Sequence, residues 1–303
     1  MMAEGRFELR PIGPYSLAAS VRFLEGFAPA AYGGHEGGHL HLAFVADGGE
    51  DVAGVCVREE DGVVLGEVYG DARVEVVKRQ VERILSLDVD GSAFPEVGQR
   101  DPVVAKLQAR YPGLRPVCFH SPYEAAAWAL IGQRIRIVQA AGIKNRMAEE
   151  LGPTVEIHGV REHAFPGPQK LKTLEGFPGL TPRKVEYLRR LGREAAEQKL
   201  EAAYLRSLPE QEALAKLDDL PGIGPFSSGL ILLRGAGTPD VLPTSEPRLD
   251  RAVAMAYNLK APPTPGELRR LAQTWRPYRT WVGLHLRVML EEETAEITRQ
   301  AKP

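Results

Sequence analysis

Cysteine is nearly absent from this 303-residue chain, with Cys56 and Cys118 the only two. Two thiols cannot build a four-cysteine zinc or iron–sulfur centre or a multi-disulfide framework, and free thiols are the default. Long apolar runs are also missing. Stretches such as AAAWALIG (125–132) fall far short of the roughly 20 residues that span a bilayer, and the opening MMAEGRFELR has no apolar signal-peptide core. A cytoplasmic protein with no membrane partner is expected. Nor is there a bulk excess of positive charge. The net charge of −2, with 44% hydrophobic and 26% charged residues, is ordinary for a soluble globular protein. Its distribution is uneven, however: residues 1–120 carry 12 Lys and Arg against 18 Asp and Glu, and residues 121–303 carry 26 against 22. An anion-binding surface is therefore expected in the second part.

Up to about residue 88 the pattern is mixed. FELRP, HLHLAFVA, DVAGVCVRE and GVVLGEVY alternate or run apolar between Gly and Asp punctuation, as strands of an antiparallel sheet do, while SLAASVRFLEGF and ARVEVVKRQVERILSL (72–87) have helical spacing. This predicts an α+β N-terminal domain, a small antiparallel sheet with helices, over 1–110. Over 111–303 the alternation disappears and an all-helical region of two subdomains around a cleft is expected. Ser121, Pro122 and Glu124 form a capping-box start for a helical stretch over 121–151. Further helices are predicted near 182–198, 209–219, 226–235, 247–258, 265–274 and 278–296.

LDDLPGIGPFSSGLILLRGAG (217–237) holds a helix end, the turn Gly222-Ile223-Gly224 and a second helix that begins with small polar residues. Two glycines flanking one apolar residue permit a hairpin tight enough to aim backbone N–H groups outward, and the following helix adds its own unpaired N–H groups. A phosphate fits such a nest. Further along, PTSEPRLDR (243–251) places Glu246 and Asp250 one turn apart at a helix start. Pro247 forces residue 246 towards an extended backbone, so Glu246 is expected at the N-cap, where the positive helix end favours its charge.

LPGIGPFSS resembles the helix–hairpin–helix element of the DNA glycosylase superfamily named for it, and the chain most resembles the 3-methyladenine DNA glycosylase II, or AlkA-like, branch. WALIGQRIRIVQAAGI looks like that family's helix with the DNA-wedge loop, AFPGPQKL like its Phe-Pro-x-Pro turn, and TWRPYRTWVGLHL like its Trp-Pro-aromatic-Arg helix pair. The resemblance covers most of the chain and implies a helix–hairpin–helix element over 209–236. It also implies a catalytic aspartate at a fixed distance from the hairpin's second glycine; the position 22 residues after Gly224 holds Glu246 instead. Asp250 is the rival acid. A carboxylate beneath the sugar stabilises the cation that develops as the base leaves, and orients water.

By the same resemblance the base pocket comprises Trp275, Tyr278, Phe226, Trp281 and Leu230, although the apolar run around Trp281 favours a core position for it. Leu230 stands where relatives often have an aromatic, which implies a wider pocket. Gly222, Ile223, Gly224, Ser227, Gln133 and Arg134 are the expected DNA contacts, with Arg134 at the wedge position and Arg183 and Lys184 as further phosphate ligands. Strand-cleaving branches carry a lysine two positions after the hairpin glycine; here Phe226 stands there, so no amine nucleophile is expected. His35, His39 and His41 in GGHEGGHLHL lack helical metal-ligand spacing and a nearby cysteine, so no metal site is expected. The implied function is a monofunctional glycosylase for alkylated bases on damaged, most simply double-stranded, DNA. It is expected to act as a monomer with no required cofactor; a monovalent cation at the hairpin is optional. The alternatives are a non-catalytic damaged-DNA-binding relative and a glycosylase for uracil or mismatched bases.

Overall fold

A computed structural model describes residues 3–26, 38–243 and 246–295. The N-terminal part is built on an antiparallel sheet of β1 (Gly5–Leu9), β2 (Leu40–Val45), β3 (Val52–Glu60) and β4 (Val63–Tyr69), ordered β1-β4-β3-β2. Period-two alternation sends Phe7, Leu9, Leu40, Leu42, Val55, Val57, Val64 and Val68 to one face. There they pack with Leu17 and Leu24 of α1 (Leu17–Glu25) and with Val77, Val81 and Ile84 of α2 (Val74–Ile84). The opposite face carries His41, Cys56 and Glu67 side by side across three strands.

Two helical cores follow. The first gathers α5 (Pro122–Gly132), α6 (Ile137–Leu151), α8 (Pro182–Ala196), α9 (Ala202–Ser207), α10 (Glu210–Asp218) and α11 (Pro225–Leu230), the last running on through a wide π-type turn at Ile231–Gly235. The second joins α12 (Pro247–Ala256), α13 (Pro265–Leu271) and α14 (Arg279–Thr294) to α3 (Phe94–Arg100) and α4 (Pro102–Arg110), so the segment before residue 111 feeds two cores. A short α7 (Pro168–Leu171) packs on α8.

The region after residue 111 is not all-helical. Thr154–Ile157 (β5) and Val160–His163 (β6) form a hairpin. Its alternating TVEI and its His158-Gly159 turn, both at positive φ, suit a two-residue hairpin connection, and Val155 and Ile157 are buried against Cys56 and Tyr69 on the outer face of the N-terminal sheet. The stretch 121–151 is likewise two helices. Arg134 sits at φ 56° and breaks the path between α5 and α6. Ser121 caps α5 by accepting from the Glu124 amide at 3.1 Å, but the Glu124 carboxylate turns to Lys144 (2.7 Å) and His120 (3.2 Å) instead of closing a capping box.

Candidate active site

The hairpin between α10 and α11 is as tight as its sequence predicts, for one glycine of the two. Gly222 has φ 88°, and a Cβ there would lie 2.5 Å from the Tyr187 ring and 2.9 Å from Leu130. Gly224 is extended, with open space where a Cβ would go. Ile223 is buried and anchors the turn in the first helical core. The first intrahelical bond of α11 runs from the Ser228 amide to the Gly224 carbonyl at 2.9 Å. The Phe226 and Ser227 amides precede it, at the end of the helix where N–H groups have no intrahelical acceptor. Gln133, in the loop after α5, donates from Nε2 to the Gly222 carbonyl at 2.5 Å. That bond couples the hairpin to the loop that exposes Arg134 and Arg136.

Between the two helical cores lies a cavity of about 530 Å³, within the range of about 300–1,000 Å³ usual for ligand sites. One wall is aromatic and apolar, from Phe119, Trp128, Phe226, Leu230 and Leu233. The other comes from the start of α12 and from α14, and carries Glu246, Arg248 and Arg287. Glu246 is the N-cap of α12, with an extended backbone as Pro247 requires, and is 6% exposed. Its carboxylate does not cap the helix. It takes a 2.8 Å contact from Arg287 Nε one helix away. Arg234 also lines the cavity; it is buried, donates to the Val117 carbonyl and lies over the Phe23 ring. Desolvation first, then the neighbouring Arg287, brings its pKa down to about 10, with Glu246 acting in the opposite direction. The acid is thus a buried carboxylate held between cations.

No protein-family model matches the sequence. Among curated proteins, a Bacillus subtilis DNA-3-methyladenine glycosylase is 25% identical over 218 residues, 71% of this chain and 72% of that protein. A Mycobacterium tuberculosis protein described as a probable bifunctional transcriptional activator/DNA repair enzyme AlkA is 28% identical over 222 residues, 73% of this chain but only 44% of the relative's length. A solved 3-methyladenine DNA-glycosylase from Archaeoglobus fulgidus superposes with a TM-score of 0.78, covering 95% of this chain and 99% of the other at 22% identity, which establishes a shared fold. These likenesses support the AlkA-like branch of the helix–hairpin–helix DNA glycosylases.

Within this AlkA-like fold several sequence expectations require correction. Trp275 is not a cavity residue. It is 0% exposed in the second helical core, and its indole N–H donates to the Tyr257 hydroxyl (2.9 Å), which in turn donates to Asp101 (2.6 Å). Tyr278 is buried beside it, with its hydroxyl on the Asp90 carbonyl at 2.6 Å, and Trp281 packs edge-on against Phe94. All three belong to the second helical core and none lines the cavity, so of the aromatics named from sequence only Phe226 reaches it. Trp128 and Phe119 supply the remaining aromatic wall. The signal for Trp128 was its place one turn before Gly132-Gln133, in the helix that leads into the Arg134 loop.

Lys184 is no phosphate ligand either. It is buried, and its ammonium donates to the Ile131 carbonyl at 2.7 Å, satisfying the end of α5. Arg183 is exposed and bonds the Tyr187 hydroxyl at 2.6 Å. Asp250 lies one turn beyond Glu246, outside the cavity lining, and burial raises its carboxyl pKa. Arg287 and Arg234 had no sequence signal, because nothing in α14 or the π-type turn marks which arginine faces the acid. His39 does meet a cysteine, Cys56, through the sheet pairing, whereas His35 lies outside the described residues.

Proposed function

We propose that this protein is a monofunctional DNA glycosylase that takes an alkylated base, of the 3-methyladenine or 7-methylguanine type, out of duplex DNA and hydrolyses its bond to the sugar. The observation that carries the reading is Glu246: a buried carboxylate on the wall of an aromatic-lined cavity, beside a phosphate-binding type of hairpin. The extruded base stacks in the apolar wall formed by Phe119, Trp128 and Phe226. An electron-rich wall of this kind favours a cationic lesion, whose base is already a good leaving group. The Glu246 carboxylate then faces the sugar as positive charge develops there, and accepts the proton of the attacking water.

Arg287 acts as a positioning residue. A glutamate reaches about 1.5 Å further than an aspartate, and the ion pair at 2.8 Å holds that extra length in one orientation. The described residues lining the cavity include no lysine, histidine or cysteine, so water is the acceptor in this mechanism and the DNA strand stays intact. Gly222–Gly224, with the amides of Phe226 and Ser227, engages a phosphate of the lesion strand, while Arg134 enters or borders the gap that the extruded base leaves.

The test is release of free base from methylated duplex DNA by the purified protein, measured without and with alkali or heat treatment of the product. Base release with strand breaks only after treatment supports the proposal. Untreated strand breaks overturn the monofunctional assignment. Binding of lesion duplex without release supports a non-catalytic relative instead, and release confined to uracil or mismatched bases redirects the substrate class.

A further inference from the structure

The outer face of the N-terminal sheet holds a group of side chains that base removal does not use. His41, Cys56 and Glu67 are cross-strand neighbours there, and His39 stands just before β2. The β5–β6 hairpin closes over this face and delivers His158 from its turn, 102 positions after Cys56 in the chain. The donor atoms of His39, Cys56 and His158 lie within 4.8 Å of one another. His39 Nδ1 is 3.5 Å from Cys56 Sγ. Bonds of about 2.3 Å to sulfur and about 2.05 Å to nitrogen at tetrahedral angles place those two donors about 3.6 Å apart. His158 Nε2 is 3.7 Å from Glu67 Oε2 and 3.4 Å from the Tyr69 hydroxyl, which donates to that same carboxylate oxygen at 3.2 Å. The His41 ring stacks on His158 with centroids 5.5 Å apart, adding bulk to one side of the group.

We propose that His39, Cys56 and His158 bind a divalent ion of the zinc class, with the fourth position beside Glu67. One thiolate and two imidazoles form a borderline-soft donor set that selects zinc-like ions over magnesium or calcium. Coordination displaces the Cys56 thiol proton to solvent and involves no change of oxidation state. The three ligands come from the chain before β2, from the middle of the sheet and from a hairpin that belongs to the second part of the chain. A bound ion therefore pins that hairpin to the N-terminal sheet, and its binding free energy adds directly to folding stability.

The test uses the full-length, tag-free protein, stripped with chelator and titrated with Co²⁺ and then Zn²⁺. The expected result is one equivalent of Co²⁺ per chain, with a thiolate-to-cobalt charge-transfer band and the intense visible bands of a tetrahedral site, both displaced by Zn²⁺, together with a Zn²⁺-dependent rise in melting temperature. Cys56→Ser should abolish the charge-transfer band. His158→Asn should weaken Zn²⁺ binding by more than about 100-fold, beyond the effect of a group acting only through another ligand. Asparagine tolerates the left-handed turn backbone at position 158, so this variant should melt like the metal-free wild type and keeps the test valid even if Cys56→Ser folds poorly. A folded wild type with no thiolate band, or an undiminished band in Cys56→Ser, or full Zn²⁺ affinity in His158→Asn, overturns the proposal.

Discussion

Glu246→Gln tests the active-site assignment most directly. The substitution keeps the size and one acceptor oxygen and removes one charge. Unit charges about 4 Å apart at an effective dielectric of about 20 attract by about 4 kcal/mol, so losing the carboxylate's hold on a sugar cation should slow base release by about 10³-fold. The structure makes this a lower bound. Arg287, which contacts Glu246 at 2.8 Å, stays positive and then faces the developing cation uncompensated. Folding should suffer little, because the amide oxygen stays beside the Arg287 guanidinium, and a loss of about 1 kcal/mol is expected. The assay is single-turnover release of 3-methyladenine from methylated duplex with enzyme in excess, paired with anisotropy binding to an abasic-analogue duplex, which should stay close to wild type. Asp250→Asn, outside the cavity lining, should release base nearly as fast as wild type. Glu246→Asp withdraws the carboxylate by about 1.5 Å from Arg287 and should cost about 10- to 100-fold. Near wild-type release by Glu246→Gln with an inactive Asp250→Asn would refute the reasoning and move the acid one turn along α12.

The remaining expectations follow from the same geometry. Phe226→Ala, at an exposed cavity residue (54%), should leave the melting temperature nearly unchanged while removing about 1–3 kcal/mol of stacking from lesion binding. Trp275→Phe should do the reverse, lowering stability in denaturant by about 1–2 kcal/mol through the lost bond to Tyr257 with base release per folded molecule preserved. Gly222→Ala should destabilise by about 1–3 kcal/mol, from the positive φ and the clash with Tyr187. Gly224→Ala should be neutral to stability, and any weakening of salt-dependent duplex binding in it then reports the phosphate site alone. His285, buried with Nε2 on the Leu114 carbonyl at 2.9 Å, is kept neutral by desolvation, which lowers its pKa to about 4. The unfolded chain takes up that proton near pH 6.5, the folded chain only near 4. Stability conferred by the neutral ring is therefore present above about pH 6.5 and lost as pH falls towards 4, by an amount on the order of 3 kcal/mol. Urea unfolding at pH 7 and 4.5 should show the slope, and His285→Phe should flatten it.

Local chemistry carried much of this protein in its sequence. Alternation along HLHLAFVA, DVAGVCVRE and GVVLGEVY encodes the four-stranded sheet, because a one-residue slip would turn every apolar side chain outward. Pro247 alone puts Glu246 at an N-cap with extended backbone, and the phenylalanine at 226 removes an amine from the hairpin helix whatever the rest of the chain does. These readings hold because each depends on neighbours a few residues apart. The β5–β6 hairpin was legible in principle, from TVEI and the His-Gly turn, but four-residue strands are too short for their period to stand out between helices.

What only the tertiary structure decided is which side chains meet across long separations. Trp275 and Trp128 are equally aromatic and equally near helix ends, yet Tyr257 and Asp101 capture one in a core while the other lines the cavity. Lys184 is drawn inward because the last carbonyls of α5 need a donor, and Arg287 is selected from the arginines of the second part because it sits across from Glu246. Cys56 finds His39 through strand pairing and His158 through a hairpin about a hundred residues away. Periodicity along a chain tells which residues share a face. It says nothing of which faces pack together, since that choice is made by burial and polar pairing summed over the whole molecule.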